Sequence, residues 1–342
     1  MKRNLLTLIL ALALLLSACE LLPDTGEKPR EVSEQSIWAM DTQMDLRLYG
    51  DEDGAVMTDL TRLLNELSLD LSANADSGAL SELNSTGRSE NPRLAALAEA
   101  GLRISARTGG ALDLTLLPVS RRWGFVDQAY LKQTPALPAA EELEALRPWL
   151  GMEKLSVADG VVTLSDGAVL DLGSLGKGYA ADLCRERMEE AKLSGILSLG
   201  GNIQTVGVKP DGSDWIIGVQ DPEDAGRYAL TLRLTGTKAA VTSGDYQRYY
   251  MVDGLRYCHI LDPETLSPVR GSLRAVTVVA DEGLEADGLS TALFVMGREA
   301  GEAFWREQGG FEAVWIEDGG KIWVTPGLSD RIVDGSFEVI EP

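Results

Sequence analysis

The densest group of chemically useful residues lies between Leu170 and Asp182, where glycines are interspersed with Asp171, Ser174 and Lys177. The pattern predicts a strand that ends at Asp171, a glycine-rich turn, and a helix that begins near Lys177. Free backbone N–H groups at a helix start, with a lysine beside them, can bind an anion. The glycine spacing fits neither a Walker A loop nor a Rossmann fingerprint. A tight strand-to-helix connection that binds no ligand is the alternative.

A second group lies on a predicted helical segment that contains Asp287 and Thr291. Residues four apart share one face of a helix, so the carboxylate and the hydroxyl would point the same way. Oxygen ligands of this kind suit a hard cation such as Mg²⁺, completed by carbonyls, waters and substrate phosphates. The alternative is that Asp287 caps a helix N-terminus by accepting backbone N–H groups.

The chain has one histidine, His259, which excludes His-rich metal sites and mechanisms that need two histidines. It follows an Asp253-Gly254 turn, and alternation places it on the return strand of a hairpin, on the same face as Tyr257 and Leu261. A neutral imidazole could remove a proton from an incoming hydroxyl. A structural histidine with satisfied hydrogen bonds is the alternative.

The elements that position these groups follow from periodicity and turn signals. Helical periodicity predicts helices over residues 55–71, 92–108 and 177–193. Turn signals predict three hairpins, which pair residues 161–164 with 168–172, 249–252 with 255–261, and 313–316 with 322–324. Hairpins mixed with helices predict one α+β domain with mixed, largely antiparallel sheets and packed helices, and residues 127–138 form a predicted loop within it.

Composition limits the possible classes of protein. The 342 residues are 44% hydrophobic and 25% charged, which is typical of a globular protein. A formal charge of −22 excludes broad non-specific nucleic-acid binding but not a local phosphate pocket. The three cysteines, Cys19, Cys184 and Cys258, are too few and too scattered for a disulfide framework or a thiolate zinc site.

The N-terminus has the pattern of a secretory signal: Lys2 and Arg3 precede an apolar run over residues 5–16, which is too short to span a bilayer. Leu16-Ser17-Ala18-Cys19 resembles a bacterial lipobox, in which the cysteine is acylated and becomes the mature N-terminus. An ordinary signal peptide is the alternative. We expect a signal peptide over residues 1–18, a lipidated Cys19 on a flexible tether over 19–35, and a folded domain over 36–342, lipid-anchored to the extracytoplasmic face of a bacterial membrane.

Taken together, the segments resemble the ApbE family of flavin transferases (FAD:protein FMN transferases). The similarity runs in the family's order from about Met40 to Gly297. The segments that carry it are residues 40–42, 80–84, 109–115 with 123–125, 170–182, 199–203, 241–244, 259–263 and 285–291. The resemblance implies a Mg²⁺-dependent enzyme that cleaves the pyrophosphate of FAD, attaches FMN to a Ser or Thr hydroxyl of a target protein through a phosphoester, and releases AMP.

Position by position, the resemblance also implies the site residues. FAD contacts fall at Met40, Asn74, Ala111, Leu112, Asp113, Asp171, Lys177 and Leu261. Metal contacts fall at Ser174 (through its backbone carbonyl), Asp287 and Thr291, and His259 matches the family's candidate general base. The implied acceptors are respiratory membrane subunits or secreted flavoproteins, and nucleic acid is not an expected partner.

The chain departs from the family pattern at three places. Asp41 stands where a glycine is usual, Asn74 where an aromatic residue often stacks on the flavin, and Leu266-Ser267 where a glycine is frequent. The competing hypotheses are an FAD pyrophosphatase that uses water as the nucleophile, a non-catalytic flavin-binding lipoprotein, and a lipid-anchored structural or adhesion protein.

Overall fold

The computed structural model describes residues 31–126 and 135–342. The predicted signal peptide, Cys19, most of the predicted tether and residues 127–134 of the predicted loop lie outside these ranges. The described helices are α1 (Ala55–Asp70), α2 (Ala79–Thr86), α3 (Pro92–Arg107), α4 (Leu117–Arg122), α5 (Ala140–Glu144), α6 (Gly176–Glu190), α7 (Gly283–Gln308) and α8 (Pro326–Ser329). None of them is both long and apolar enough to cross a bilayer.

The described strands are short and numerous. They are β1 (Val32–Ala39), β2 (Thr42–Tyr49), β3 (Arg88–Ser89), β4 (Leu155–Ala158), β5 (Val161–Leu164), β6 (Ser194–Leu199), β7 (Asn202–Val206), β8 (Trp215–Gln220), β9 (Tyr228–Leu234), β10 (Lys238–Gly244), β11 (Tyr249–Val252), β12 (Leu255–Cys258), β13 (Leu261–Asp262), β14 (Ser267–Pro268), β15 (Leu273–Ala280), β16 (Glu312–Glu317), β17 (Ile322–Val324), β18 (Ile332–Asp334) and β19 (Glu338–Val339).

A nine-stranded sheet organises the domain, in the order β1-β2-β6-β7-β10-β15-β16-β17-β19. Every neighbouring pair in it is antiparallel except β17 and β19, which run parallel. Smaller sheets are formed by β18-β9-β8, by β3-β5-β4 and by two hairpins. The predicted α+β class with mixed, largely antiparallel sheets is therefore confirmed.

The large sheet separates two apolar layers. Along β15, Val276 and Val278 face the helices, whereas Ala275 and Val279 face the small β18-β9-β8 sheet. This alternation is what a strand buried on both faces requires, because successive side chains point to opposite sides. A third cluster, rich in aromatic residues, lies under the β11–β12 hairpin. The functional side chains described below come from the helix side of the sheet and from this hairpin.

Two of the three predicted hairpins are confirmed, namely β11–β12 and β16–β17. The pairing of residues 161–164 with 168–172 is wrong, since β5 pairs with β4 across Asp159-Gly160. Residues 168–172 form no strand because their backbone groups are bonded elsewhere: Leu170 to the side chain of Asn84, and the Asp171 N–H to the carbonyl of Leu114. The strand predicted to end at Asp171 is therefore an extended loop.

The N-terminal end of the sheet differs from the predicted boundary. Strand β1 begins at Val32 and pairs along its whole length with β2, so residues 32–35, predicted as tether, belong to the sheet. The β1–β2 turn consists of Met40 and Asp41, whose φ angles of 50° and 59° are both left-handed. Two-residue hairpin turns of this kind favour glycine at the second position, which is where Asp41 departs from the family pattern.

Candidate active site

The centre of the site is the crossing of α6 and α7. The Oδ2 atom of Asp287 accepts a hydrogen bond of 2.8 Å from the Gly178 N–H, in the first turn of α6. The two helices approach this closely because both carry glycine at the crossing: a Cβ on Gly178 would lie 2.2 Å from the carbonyl oxygen of Gly283. The crossing therefore brings a buried carboxylate, 3% exposed, to the positive end of a helix.

Asp287 does not cap its own helix, because α7 begins four residues earlier, at Gly283. It accepts backbone N–H groups, as the capping hypothesis requires, but from α6, whose chain segment lies 109 residues away. The Nζ atom of Lys177 stands 3.8 Å from Asp287 Oδ1 and donates a 3.4 Å hydrogen bond to the carbonyl of Gly173. The structure thus brings Lys177 and Asp287 together, although the sequence placed them in separate groups.

Hydroxyl groups extend the site along α7 and β10. Thr291 Oγ1 lies 3.3 Å from both the Asp287 carbonyl oxygen and Ser243 Oγ. Ser243 Oγ also lies 2.8 Å from Ser290 Oγ, and Ser290 in turn donates to the Asp287 carbonyl. Asp287 and Thr291 share one helix face as predicted, and Ser243 anchors that face to the large sheet.

These groups suit a hard divalent cation. Burial raises the pKa of Asp287, and the nearby Lys177 ammonium and the Gly178 N–H oppose that rise. No group of three or more His, Cys, Asp or Glu side chains able to hold a metal occurs in residues 31–126 and 135–342. An ion here would rest on one carboxylate, the Thr291 hydroxyl and a carbonyl, with substrate phosphates completing its ligands, which is how Mg²⁺ is often held.

His259 lies one residue beyond the end of β12, not within the return strand, and its N–H donates to the carbonyl of Arg248 at 3.0 Å. The side chain is only partly exposed. Burial, together with the positive charges of Arg248 and Lys177, lowers its pKa to about 3. Among the described residues, its buried Nδ1 atom has no hydrogen-bond partner. The imidazole is therefore neutral at physiological pH and lacks the full set of bonds that a purely structural histidine would have.

A stack of aromatic rings supports the hairpin that leads to His259. Tyr250 and Tyr257 are stacked with centroids 5.6 Å apart, and Tyr257 stacks in turn on Trp123 at 5.7 Å. Leu261 is buried in the same cluster. Rings packed in this way bury large areas and hold the hairpin rigidly. The hairpin therefore restrains the backbone that leads to His259.

Two other predicted carboxylates shape loops. Asp171 Oδ1 accepts from the Gly173 N–H at 2.9 Å, and Asp113 Oδ1 accepts from both the N–H and the hydroxyl of Thr115, at 2.7 and 2.6 Å. Burial raises the pKa of Asp113, and the Thr115 bonds oppose the rise. The two loops are joined by the hydrogen bond from the Asp171 N–H to Leu114 O, at 2.8 Å.

The remaining predicted contacts are distributed around this centre. Met40 packs at the start of α6, since a Cβ on Gly176 would lie 3.2 Å from its Cε. Ala111 and Leu112 pack into the main core next to the Asp113 loop. Ser174 is half-buried in the turn before α6. Asn74 is exposed, and its Nδ2 donates to the carbonyl of Val126 at 2.6 Å. No direct contact joins Asn74 to Lys177, Asp287 or His259 among the described contacts.

Three further residues shape the site without having been singled out from the sequence: Asn84, Asp182 and Ser243. The Asn84 amide makes two hydrogen bonds, 2.7 and 2.9 Å long, with the backbone of Leu170 and so holds the segment before Asp171. All three lie inside the segments that carry the family resemblance. For Asn84 and Asp182, the available signal was a polar residue at the end of such a segment; Ser243 lies inside its segment and had no separate signal.

A helix crossing that joins a lysine, a buried carboxylate and hydroxyls, with a neutral histidine close enough to interact with the lysine charge, is chemically suited to an anionic substrate. The model of the ApbE family matches residues 40–315. The chain belongs to the ApbE family. This finding confirms the resemblance seen in the sequence and, with it, the prediction of an enzyme.

Named relatives and solved structures support the same family membership. A FAD:protein FMN transferase of Vibrio cholerae is 31% identical over 305 residues, covering 86% of this chain and 88% of the relative. One of Salmonella typhimurium is 30% identical over 341 residues, covering 95% and 96%. The crystal structure of an ApbE protein from Thermotoga maritima matches with a TM-score of 0.79 at 27% identity, covering 85% of this chain and 96% of that one. The apo flavinyl transferase ApbE of Pseudomonas stutzeri matches with a TM-score of 0.76 at 31% identity, covering 86% and 94%.

Proposed function

We propose that this protein is a Mg²⁺-dependent FAD:protein FMN transferase that attaches FMN to a Ser or Thr hydroxyl of a target flavoprotein and releases AMP. The observation that carries the proposal is the buried Asp287 carboxylate, which lies against Lys177 and the first turn of α6. Membership of a family whose relatives are named for this activity supports it.

The reaction is a phosphoryl transfer to an alcohol. The acceptor oxygen forms a bond to the FMN-side phosphorus, the bond from that phosphorus to the bridging oxygen breaks, and AMP leaves with the electron pair. The acceptor hydroxyl loses its proton. Positioning and charge neutralisation provide most of the rate acceleration in reactions of this kind.

The start of α6 binds the diphosphate of FAD. Its first-turn N–H groups and the Lys177 ammonium provide positive charge at one point. This local charge explains how a chain of net charge −22 binds an anionic substrate, because interactions at contact distance outweigh the distant surface charges that salt screens. The carboxylates of Asp113 and Asp171, already engaged in loop hydrogen bonds, orient the cofactor through the shape of their loops.

Asp287, Thr291 and the backbone carbonyl of Ser174 would hold the metal ion. Magnesium bound there would neutralise charge on the diphosphate and on the departing AMP. Burial raises the pKa of Asp287 despite Lys177 and the Gly178 N–H, and a divalent cation bound there would stabilise its charged form.

His259 accepts the proton of the attacking hydroxyl. A pKa of about 3 keeps the imidazole neutral, so its lone pair is free to accept a proton throughout the physiological range. Such a low pKa also makes the ring a weak base at rest. As the bond to phosphorus forms, the attacking oxygen loses electron density and its proton becomes more acidic, so a weak base can accept it. General-base catalysis is typically worth about 10²–10⁴-fold in rate.

Mass spectrometry tests the proposal directly. The purified chain is incubated with FAD, Mg²⁺ and a flavin-acceptor protein, with a parallel reaction that contains EDTA. We expect an FMN adduct on an acceptor Ser or Thr, one AMP released per adduct, and neither product with EDTA. Free FMN without an adduct would identify a pyrophosphatase instead, and intact FAD that is bound but not cleaved would identify a flavin-binding protein.

We further propose that the enzyme acts at the extracytoplasmic face of a bacterial membrane, held there by lipid on Cys19. The basic start, the apolar run and the Leu-Ser-Ala-Cys sequence support this location. Its acceptors would then be respiratory membrane subunits or secreted flavoproteins. Metabolic labelling with a fatty-acid analogue, compared between the wild-type chain and Cys19→Ala, tests the anchor.

A further inference from the structure

A second carboxylate lies at the α6–α7 crossing and makes the reverse contact. Asp182, on α6, accepts hydrogen bonds from the first two N–H groups of α7: Oδ1 from Gly283 and Oδ2 from Leu284, both 2.8 Å long. It is 8% exposed, and the Nε atom of Arg185 lies 3.5 Å from its Oδ1. Each helix therefore caps the N-terminus of the other with one buried aspartate.

The reciprocal arrangement links the start of α7 to the place where Asp287 acts. Asp287 follows Gly283 by four residues, about one helical turn. Holding the first N–H groups of α7 in place therefore fixes where Asp287 lies along the helix axis and which way its side chain points around that axis. The glycine pair adds no side chain that could do this, since Gly178 and Gly283 meet backbone to backbone. Asp182 holds the first two N–H groups of α7, whereas the other charged residue of that turn before Asp287, Glu285, pairs with Arg103 and Arg107 and contacts no α7 N–H group among the described hydrogen bonds.

We propose that Asp182 is a positioning residue for the phosphate and metal site: its carboxylate sets Asp287 against the start of α6. This inference rests on the proposed function, because it concerns how the same site is held. Groups that orient a metal ligand typically change metal affinity or activity by about 10–100-fold when they are replaced.

The simpler explanation is that Asp182 only stabilises a helix end. The chain offers a matched control in Asp51, which is 4% exposed and also accepts two N–H groups of one helix start, from Val56 at 3.1 Å and Met57 at 2.9 Å. Asp51 caps α1, whose only described hydrogen bond to a predicted site residue, from Met40 N–H to Ser68 Oγ, lies at the opposite end of the helix.

The experiment compares Asp182→Asn with Asp51→Asn in the full chain. The first measurement is amide hydrogen exchange on the metal-free protein, followed at Gly178, whose N–H is bonded to Asp287. We expect Asp182→Asn to speed exchange at Gly178 as well as at Gly283 and Leu284, whereas Asp51→Asn speeds exchange only at the start of α1. A purely structural cap would leave Gly178 unchanged, and that result overturns the proposal.

The second measurement is the Mg²⁺ dependence of AMP release. We expect Asp182→Asn to raise the half-saturating Mg²⁺ concentration about 10–100-fold, while Asp51→Asn lowers the melting temperature but keeps the wild-type Mg²⁺ dependence. Equal Mg²⁺ dependence in both variants contradicts the proposal. If Asp182→Asn does not fold, Asp182→Ser, which retains one capping oxygen, replaces it in both measurements. A wild-type chain without Mg²⁺-dependent AMP release would refute the proposed function, whereas the Gly178 exchange would still decide the role of Asp182.

Discussion

The site has two sides that are built in opposite ways. At the α6–α7 crossing, a carboxylate, an ammonium and hydroxyls meet at a helix start, and the contacts join segments more than 100 residues apart. At the β11–β12 hairpin, stacked aromatic rings support the two strands, and a single histidine follows the second strand directly. We refer to these regions as the charged side and the aromatic side.

In the proposed function, the charged side binds the substrate and the aromatic side carries the group that accepts the proton. The charged side depends on groups of opposite charge that stabilise one another. Removing one of them leaves its partner buried without a compensating charge. The aromatic side gains its rigidity from packing, and replacing the neutral His259 ring removes no charge on which a neighbour depends. Substitutions on the two sides should therefore fail in different ways.

Asp287→Ala is expected to have the largest effect. It removes the proposed metal ligand and the acceptor of the Gly178 N–H, so Mg²⁺-dependent AMP release should fall to background. Circular dichroism should show that the fold persists, and the control is Glu285→Ala, which removes a carboxylate of the same helix that is paired with Arg107 and Arg103. An Asp287→Ala variant that still responds to Mg²⁺ would show that the charged side is not the metal site.

His259→Ala should slow transfer about 10²–10⁴-fold, the usual worth of a general base, with little change in the KM for FAD. The stacked aromatic pairs of the hairpin do not include the imidazole, so the melting temperature should stay close to that of the wild type. Steady-state kinetics with and without added imidazole measure the effect. Equal losses in kcat and FAD affinity would mean that the histidine binds substrate and would erase the distinction between the two sides.

The lowered pKa of His259 also predicts a pH-dependent stability. In the folded chain the pKa is about 3, against a reference of 6.5, so the unfolded chain binds the proton first as the pH falls. This contribution to stability is complete above pH 6.5 and is lost progressively between pH 6.5 and about 3. Urea unfolding should thus show the wild type losing stability relative to His259→Asn between pH 7.5 and 4.5. A constant difference would mean that the imidazole has an ordinary pKa.

Much of the framework could be predicted because its signals are local. The start of α3 lies at the predicted residue, where Pro92 follows an Asn91 whose side chain accepts the N–H groups of Arg93 and Leu94. The helices α1 and α6 also begin within one residue of prediction. Such starts depend on amphipathic periodicity and on residues a few positions away, and both can be read from the chain.

The predictions that were wrong or missing concern contacts between residues far apart in the sequence. Residues 168–172 alternate like a strand, yet the Asn84 side chain and Leu114 carbonyl, far away in the sequence, take their hydrogen bonds. The Asp287–Gly178 and Asp182–Gly283 bonds likewise join residues more than 100 positions apart. The residue types of the site were visible in the sequence, but their partners depend on how the helices cross, which no local pattern specifies.

Two of the residues that depart from the family pattern, Leu266 and Asp41, have left-handed backbone angles, and one lies on each side of the site. They therefore make the sharpest comparison. Leu266, on the aromatic side, has a φ of 54° and is 1% exposed in the aromatic cluster. Leu266→Gly relieves the backbone but removes a buried side chain that typically contributes about 2–5 kcal/mol. We expect a net loss of roughly 1–4 kcal/mol in the free energy of unfolding, after about 1 kcal/mol of relieved strain.

Asp41→Gly should have the smallest effect and the opposite sign. Asp41 has a φ of 59° in the turn beside Met40, on the charged side, and its side chain is exposed, so glycine relieves the backbone and loses no packing. Aspartate tolerates the left-handed region better than most residues, so the gain should be less than the roughly 1–2 kcal/mol that such a backbone costs an ordinary residue. Urea unfolding of both variants measures the pair. A loss of stability in Asp41→Gly would show that the exposed carboxylate, and not backbone strain, determines the energy of this turn.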